Sequence, residues 1–441
     1  MPTEPHKIIP LPLAYFSHCQ NRVMNDRISN AAKDSLQHGN ELGKSRARHL
    51  AGDALASALR DARTRSWALV DDLTDAQWNP RLQLGVNPIA WELAHQAWFA
   101  EFWVLRGPHS LGSDGLVTAQ RPPRIAGPDA HLDSTRLPHA ARWTTPMPDQ
   151  AELKRMLDDQ LDACLQALPR HDFASTADED QALYFHRLAL FHEDMHGEAL
   201  CWLRSALGYA QPLGYDVPVR PASAQIVIPA SEGFLGSVAQ ADGFAFDNER
   251  PGKQVKLNDF VIDSEPVSAL EFARFVDSGG YGQAHYWPGV AGTWRSDAGL
   301  SQPAHWRRGT AGQWQMRWFH QWLDLSPGVP AIHLNAYEAE AYCLWAKRRL
   351  PTAAQWEHAA RSHPKFAWGH TVWEWTADNF EPHPGFASGP YREYSQPWFG
   401  NHRELRGGAF ATRTRMHDAR YRNFFLPERS DIFAGFRTVA L

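Results

Sequence analysis

The chain has 441 residues, 43% hydrophobic and 21% charged, a composition typical of a folded globular protein with more than one domain. A formal net charge of −5 argues against nucleic acid or an anionic membrane as the partner and favours small molecules. The four cysteines stand far apart without a C-x-x-C pair, which predicts a cytoplasmic protein in a reducing compartment. No long unbroken apolar run occurs, so no membrane-spanning segment is predicted.

The first half of the chain predicts a helical bundle. Residues 1–44 are polar and weakly periodic, and we interpret them as an N-terminal extension. Apolar residues at helical spacing then predict four helices, over residues 48–73, from Asn87-Pro88 to Gly107, over 150–168 and over 178–207. An irregular Pro- and Arg-rich stretch, residues 108–148, forms the long crossover between the second and third helices. This pattern predicts a four-helix bundle over residues 45–208.

The second half predicts a mixed α+β domain that is rich in loops. A Pro/Gly-rich linker covers residues 209–224, and from residue 225 to residue 441 short alternating apolar runs are separated by turn residues. Two short helices are expected over about 267–277 and 336–348. Eight arginines lie between residues 403 and 437, but acidic residues are interspersed among them. We therefore interpret these arginines as members of structural ion pairs rather than as a nucleic-acid surface.

Three histidines interrupt the apolar faces of two predicted helices. His192 and His196 lie one turn apart in the stretch HEDMHGE, and His95 interrupts the apolar stripe of the second helix. A buried imidazole leaves a donor and an acceptor to satisfy, and a metal between facing helices gives the lone pairs a common partner. The pattern predicts a metal site formed by these three histidines. Local hydrogen bonding of each histidine is the alternative.

The letters H-E-x-x-H at residues 192–196 also spell the motif of zinc proteases, in which Glu193 would be the general base. The sequence that follows lacks the metzincin continuation, and Glu198 points away from the two histidines on the helix. An all-histidine triad leaves up to three open positions on a dication. This suits non-haem Fe(II) with substrate and dioxygen bound together, although zinc also fits the ligand types.

The order of the longer motifs resembles that of a known superfamily. The first half contains AHQAWF and HEDMHGE, and the second half contains GFLGSVAQADGFAFDNERPGKQVKL, RRLPTAAQWEHAAR, VWEWTAD, ELRGGAF and YRNFFLPERSDIFAGFR. Over about residues 48–441 these motifs resemble the ergothioneine-type sulfoxide synthases. The resemblance implies a DinB-like four-helix bundle followed by a loop-rich α+β domain of the formylglycine-generating-enzyme and C-type-lectin type.

The same resemblance implies a cofactor and substrates. Fe(II) is expected on His95, His192 and His196, with dioxygen as co-substrate and hercynine, the betaine of histidine, as the group that is modified. Glu193 then becomes a solvated or supporting carboxylate rather than a catalytic base. A tyrosine serves as proton or redox partner in relatives, and Tyr391 and Tyr394 are the candidates here.

The resemblance also implies residues that bind the substrates. The family places an Asn-Trp pair at the trimethylammonium group, and this chain has Asn423 and Phe424 there. Relatives that use γ-glutamylcysteine bind it through an R-x-P-R segment and an acidic residue after that pair. Arg136 matches the first arginine, whereas His139 replaces the second arginine and Phe425 replaces the acidic residue.

The loss of these two charges argues against a zwitterionic peptide substrate, because a buried charge without a partner is costly. We therefore expect a less charged chalcogen donor, and the chain most resembles the selenoneine synthases, which join a selenosugar to hercynine through a C–Se bond. A sulfoxide synthase that forms a C–S bond with a thiol donor is the first alternative, and a non-catalytic zinc-binding bundle is the second. Met195 replaces a glutamine that some relatives use near the imidazole ring.

Overall fold

The computed structural model describes residues 45–83, 85–124, 129–170, 173–238 and 242–441, so the predicted N-terminal extension lies outside the described residues. Four long helices make up the first half: α1 (Gly52–Ala68), α2 (Ile89–Ala100), α3 (Gln150–Gln166) and α4 (Thr176–Ala206). Helix α2 continues into a π-helical turn, Glu101–Leu105. Among the described helices, none is both long and apolar enough to cross a bilayer.

The four helices close into a bundle because each packs against two others. Helix α1 lies against α4 and α3, and α2 lies against α3 and α4. Side-chain oxygens of Asp149 and Ser175 accept backbone N–H bonds at the starts of α3 and α4, which fixes where these helices begin. The interior is apolar and aromatic, with Trp91, Phe99 and Phe191 fully buried.

The crossover between α2 and α3 is more regular than the sequence suggests. It contains the antiparallel hairpin of β1 (His109–Leu111) and β2 (Val117–Ala119), followed by two one-turn helices, Asp129–Leu132 and His139–Arg142. Elements of three or four residues are too short to show a hydrophobic period, so the prediction of an irregular stretch was wrong here. The first of these short helices lies against α2, and the carbonyl oxygen of its last residue, Leu132, contacts the His95 ring.

The second half is an α+β domain with several small sheets. Its helices are α5 (Ala269–Asp277), α6 (Val290–Ala298), α7 (Ala336–Ala346) and α8 (Ala353–Ser362). Its strands are β3 (Gln225–Ile228), β4 (Ser231–Leu235), β5 (Lys253–Leu257), β6 (Phe260–Asp263), β7 (Trp306–Arg308), β8 (Trp314–Trp318), β9 (Gln321–Asp324), β10 (Arg348–Arg349), β11 (Trp373–Asn379), β12 (Arg403–Arg406), β13 (Asn423–Phe425), β14 (Ala434–Gly435) and β15 (Val439–Ala440). Only α5 and α7 match the predicted helices.

The strands pair in four groups within this domain. Two four-stranded sheets have the orders β10-β15-β6-β3 and β13-β12-β11-β14, in which β11 and β14 are parallel and the other neighbours are antiparallel. Strands β4 and β5 form a hairpin, and β7, β8 and β9 form a meander. The sheet that contains β13 carries the predicted substrate-binding residues at its edge.

Helix α4 lies directly against the second domain. Glu198 on α4 accepts hydrogen bonds from the Trp373 indole at 2.7 Å and the Thr412 hydroxyl at 2.6 Å. One turn earlier, Asp194 forms an ion pair with Arg415. The loops of the second domain therefore sit beside the helix that carries two of the three histidines. The domain boundaries at residues 44, 208 and 224 stay predictions.

Candidate metal centre

His95, His192 and His196 converge inside the bundle. One ring nitrogen from each lies within 4.8 Å of the others, and His95 and His192 are buried. The spacing of four residues on α4 places His192 and His196 on one face, with their Nε2 atoms 3.1 Å apart. Helix α2 packs against that face and brings in His95, whose ring centre lies 4.9 Å from that of His196.

Two hydrogen bonds fix how the rings are turned. The Nδ1 atom of His95 lies 2.7 Å from the Leu132 carbonyl oxygen, and Nδ1 of His196 lies 2.6 Å from a carboxylate oxygen of Glu92. Both partners are acceptors, so both Nδ1 atoms carry the proton and donate. The lone pairs of His95 and His196 are therefore on the Nε2 atoms, which face the centre of the cluster.

The donor set fits a bound metal ion. The Nε2 atoms of His192 and His196 lie 3.1 Å apart. Two neighbouring nitrogen ligands of one cation, each at a metal–nitrogen distance of about 2.0–2.1 Å, have a similar separation. An Nε2 lone pair of His196 that faces another imidazole nitrogen needs a proton or a cation between them. Each outer nitrogen of His95 and His196 is held by an acceptor, the arrangement that orients imidazole ligands in metalloproteins. The residues therefore fit a dication that three neutral imidazoles bind.

Two of the imidazoles, those of His95 and His192, are held in the neutral form that a metal ligand needs. Burial and the charge of the neighbouring His196 together lower the pKa of His95 to about 3. Burial likewise holds the pKa of His192 well below its ordinary value. Phe99 stacks on the His192 ring with centres 3.5 Å apart, and this apolar contact is part of that burial.

A polar chain supports the cluster from the crossover side. The Asn87 amide donates to the second carboxylate oxygen of Glu92 at 2.7 Å, and Arg142 donates to the Asn87 side-chain oxygen at 2.9 Å. Pro88, rather than Asn87, directly precedes the first residue of α2, so Asn87 does not cap that helix. Asn87 instead holds Glu92 in position beneath His196.

Glu193, the glutamate of the H-E-x-x-H letters, points away from the cluster. It is buried, and its carboxylate pairs with the Arg63 guanidinium at 2.8 Å and accepts a bond from the Ser66 hydroxyl at 3.2 Å. The prediction that it has no protease role agrees with this position, but it is an internal ion pair of the bundle rather than a solvated carboxylate.

The two candidate tyrosines are neighbours, with ring centres 5.9 Å apart, but they make different contacts. The Tyr391 ring contacts Phe99 with centres 4.9 Å apart and lies 6.3 Å from the His192 ring. Burial raises the pKa of Tyr391, and its hydroxyl makes no hydrogen bond within the part of the chain that the structure describes. The Tyr394 hydroxyl is instead 3.2 Å from that of Tyr421 and 3.7 Å from the Met195 sulfur.

Met195 is enclosed by tyrosines rather than open toward the histidines. Its sulfur accepts a hydrogen bond from the Tyr421 hydroxyl at 3.2 Å as well as from Tyr394. Tyr394 in turn stacks on Phe246 with centres 4.6 Å apart. The position that the sequence comparison marked as unusual is thus the centre of a cluster between the two domains.

A small pocket opens beside His95. Its lining combines four aromatic residues of the bundle with a turn of the crossover and a loop of the second domain. The lining residues are His95, Trp98, Phe99, Phe102, Trp103, Val117, Asp133, Ser134, Thr135, Tyr391 and Glu393. Two carboxylates and three hydroxyls therefore face an aromatic wall next to a candidate metal ligand, and no lysine or arginine is among these residues.

The predicted substrate-binding residues on β13 lie farther from the histidines. Phe424 stacks on Phe380 with centres 4.1 Å apart and meets the edge of Tyr394 at 5.8 Å. The Asn423 side-chain oxygen accepts the Phe424 backbone N–H at 2.9 Å. Phe425 lies under the Arg429 guanidinium at 4.9 Å. Tyr394 therefore connects this strand with Met195 and α4.

The two predicted crossover residues differ in their relation to the pocket. Arg136 pairs with Asp133, a lining residue, at 3.2 Å and with Asp114 at 3.4 Å, so it stands at the pocket rim. The Nε2 atom of His139 lies 2.6 Å from the Val86 carbonyl oxygen, beside Asn87. His139 thus contacts the segment next to Asn87, the residue that donates to Glu92, and it does not line the pocket.

Comparison with known proteins gives the same two-part organisation. Residues 58–200 match the DinB superfamily, and residues 216–372 and 371–440 match the sulfatase-modifying factor enzyme 1-like domain. The hercynine oxygenase of Mycolicibacterium thermoresistibile is 30% identical over 439 residues, covering 87% of this chain and 94% of that protein. The hercynine oxygenase of Mycobacterium tuberculosis is 30% identical, covering 87% and 98%.

A relative of the second domain alone is also similar. The formylglycine-generating enzyme of Thermomonospora curvata is 31% identical over 175 residues, which cover 36% of this chain and 57% of that enzyme. A DinB-type bundle with a histidine cluster, joined to a domain of this type, defines a class of two-domain oxidoreductases. The chain belongs to the ergothioneine-type sulfoxide synthase superfamily, together with these hercynine oxygenases. The predicted fold class and superfamily are thereby confirmed.

Several residues of the site escaped the sequence reasoning. Glu92 stands three residues before His95 in an otherwise apolar helix, and this isolated carboxylate was a usable signal. Asp133 and Glu393 gave no signal of this kind. They lie in irregular segments, where no period indicates which way a side chain points.

Proposed function

We propose that the chain is a non-haem Fe(II) oxygenase that uses dioxygen to join hercynine to a selenosugar through a C–Se bond. The observation that carries this proposal is the histidine cluster with a carboxylate- and hydroxyl-lined pocket directly beside His95. The similarity to hercynine oxygenases over 87% of the chain supports hercynine as the substrate that is modified.

His95, His192 and His196 would hold the metal through their Nε2 atoms, with Glu92 and the Leu132 carbonyl fixing two of the rings. When bound, Fe(II) supplies open coordination positions and the redox capacity to use dioxygen. A set of three neutral ligands without a carboxylate leaves the metal cationic. That charge favours binding of the donor in its deprotonated form.

The proposed reaction balances with dioxygen as the only oxidant. An imidazole C–H bond of hercynine and the Se–H bond of the donor are broken, and one C–Se bond forms. One oxygen atom ends on selenium as a selenoxide, and the other leaves as water with the two hydrogens. Dioxygen takes up four electrons, two from formation of the C–Se bond and two from oxidation of selenium.

The pocket composition supports a donor without carboxylates. γ-Glutamylcysteine carries two carboxylates, and a pocket that contains Asp133 and Glu393 but no basic side chain would repel them. Arg136 at the rim already pairs with Asp133 and Asp114. Arg142, whose charge acts on Tyr391, donates its hydrogen bonds to Asn87 and to backbone carbonyl oxygens. A neutral sugar fits hydroxyls, carboxylates and aromatic rings far better.

We assign Tyr391 rather than Tyr394 as the tyrosine that exchanges a proton with the reacting groups. Tyr391 lines the pocket next to His192, whereas the Tyr394 hydroxyl is occupied by Tyr421 and Met195. Tyr391→Phe should lower kcat by about 100-fold while iron content and hercynine affinity stay unchanged. Tyr394→Phe is the matched control and should change kcat much less; the reverse order would contradict the assignment.

The choice of donor is tested by turnover of the Fe(II) protein with hercynine and each of three donors. Selenosugar, γ-glutamylcysteine and cysteine are compared by kcat/KM, and the product is identified by mass. We expect the selenosugar to be used most efficiently. Efficient use of γ-glutamylcysteine would instead support the alternative of a C–S bond-forming sulfoxide synthase.

The second alternative is a bundle that binds zinc and has no catalytic role. It is favoured only by the ligand types, since zinc also accepts three imidazoles. Reconstitution without oxygen, followed by metal analysis and turnover with Fe(II) or Zn(II), distinguishes the two. Oxygen consumption that depends on hercynine with Fe(II), and not with Zn(II), supports the oxygenase.

A further inference from the structure

The pocket beside His95 has two carboxylates in different electrostatic situations. Asp133 is neutralised by Arg136 at 3.2 Å, and one of its oxygens accepts from the Thr135 backbone N–H at 2.9 Å and hydroxyl at 2.6 Å. Glu393 forms no ion pair with any residue of the described ranges. The Val117 backbone hydrogen-bonds to it and the charge of Arg392 acts on it, but burial outweighs both and raises its pKa. Repulsion from Asp133 also raises the pKa of Glu393.

A half-buried carboxylate that forms no ion pair, beside an aromatic wall, selects what can bind there. It accepts hydrogen bonds from hydroxyl groups, it attracts cations and it repels anions. The Ser134 hydroxyl and the Tyr391 hydroxyl also face the pocket without a hydrogen-bond partner in the described part of the chain. The lining therefore offers several free polar groups in front of Trp98, Phe102 and Trp103.

The betaine substrate does not suit this pocket. In hercynine the trimethylammonium group and a carboxylate are attached to the same carbon. If the aromatic wall bound the trimethylammonium group, the carboxylate of hercynine would therefore come close to Asp133 and Glu393. No basic residue of the lining would offset that repulsion. A neutral polyol has no such conflict, since its hydroxyls donate to carboxylates and its ring carbons pack on aromatic faces.

We propose that Glu393, with Ser134, binds the hydroxyl groups of a neutral sugar-type donor and excludes donors that carry carboxylates. The proposal rests on the function proposed above and adds the residues that set donor specificity. Glu393 lies two residues after Tyr391 on the loop of the second domain, which Asp247 anchors by accepting a bond from the Ser395 hydroxyl at 2.5 Å. The same loop would thus supply both Glu393, which binds the donor, and Tyr391, which lies beside the donor.

The test measures binding without turnover, by calorimetry on the Fe(II) protein in the absence of oxygen. The probes are β-thioglucose, γ-glutamylcysteine, tetramethylammonium and hercynine. Glu393→Gln keeps the shape but removes the charge, and it should weaken thioglucose binding about tenfold. Hercynine affinity and iron content should not change. Glu232→Gln, at an exposed position on β4, is the matched control and should bind every probe as the parent protein does.

The outcomes separate the specificity proposal from the proposed function. Unchanged thioglucose affinity in a folded Glu393→Gln variant would overturn the role of Glu393 while the function stands. Competition between tetramethylammonium and thioglucose that disappears in Glu393→Gln would overturn it in favour of a cation site. If the parent protein binds and turns over γ-glutamylcysteine but not thioglucose, the proposed function itself fails. If Glu393→Gln does not fold, Glu393→Asp serves instead, with a smaller loss expected.

Discussion

Two groups of polar side chains, one in each domain, differ in how they are satisfied. In the second domain, each of the eight arginines between residues 403 and 437 forms an ion pair with an acidic side chain. In the bundle, three imidazoles present nitrogen lone pairs to one another, and the Nδ1 atom of His192 has no partner within the described residues.

This difference separates a structural network from a binding site. Buried charges that complete each other's hydrogen bonds need nothing further, as with Glu404 between Arg406 and Arg422. Lone pairs that converge are satisfied only when a ligand arrives. Interpretation of the C-terminal arginines as structural ion pairs agrees with the contacts. The histidine cluster is the place where we propose that a cation binds.

The largest expected effect is on the histidine cluster. His192→Ala should abolish both iron binding and turnover, because it removes one of three ligands from the centre. Metal content after anaerobic reconstitution and oxygen consumption with hercynine measure the effect. His186→Ala is the control, since His186 is buried on the same helix but bonds only to the Cys164 carbonyl oxygen at 3.1 Å. Equal iron content in both variants would contradict the proposed centre.

The next effect concerns the arginine network. Glu404→Ala leaves Arg406 and Arg422 without their shared carboxylate, and it should lower the free energy of unfolding by about 3–5 kcal/mol. Urea denaturation followed by tryptophan fluorescence measures this change. Glu340→Ala, which removes a 36% exposed partner of Arg403, should cost at most about 1 kcal/mol. Similar small losses in both variants would mean that burial does not distinguish these ion pairs.

Periodicity decided which features of the fold and of the site could be predicted from the sequence. The histidines were predictable because helices of many turns repeat their faces, so His95 and His192 could be assigned to the bundle interior from spacing alone. The short helix α8 was missed, although Thr352 and Gln355 form a capping box at its start. The signal was present in the letters, but the surrounding loops gave no period to support it.

The pocket was beyond sequence reasoning for a different reason. Asp133 and Glu393 are 260 residues apart in number and meet only because the crossover and a loop of the second domain both fold over α2. Residue type alone identified Tyr391 and Tyr394 as candidates but could not say which one faces His192. Contacts between irregular segments depend on tertiary packing, which no local pattern encodes.

A smaller effect distinguishes the two glutamates near the histidines. Glu92→Gln weakens the acceptor for the His196 Nδ1–H group and should lower iron affinity by about 10- to 100-fold. Glu193→Gln is the matched control, because Glu193 is equally buried but pairs with Arg63. It should leave iron affinity unchanged and lower stability instead. Chelator competition measures affinity, and a loss confined to Glu193→Gln would restore the H-E-x-x-H interpretation.

The smallest effect is a pH dependence that arises in the second domain. Burial, together with the charge of His370, lowers the pKa of His417 to about 3, well below the ordinary value of 6.5. Between these values the unfolded chain binds a proton that the folded protein does not, so stability falls as the pH decreases below 6.5. The slope should approach about 1.4 kcal/mol per pH unit, or roughly 2 kcal/mol between pH 6.5 and pH 5.

His417→Gln should remove that part of the slope, whatever it does to stability at neutral pH, because glutamine cannot be protonated in this range. His320→Gln, at an exposed position of the same domain, should leave the slope as it is. Urea midpoints at several pH values between 5 and 7 give the slope of stability against pH for the parent protein and for the two variants. The histidines of the bundle are the same in all three proteins and contribute equally to each slope. A slope unchanged in His417→Gln would mean that the pH dependence comes from other histidines whose pKa burial lowers, of which the second domain also has His305, His333 and His383.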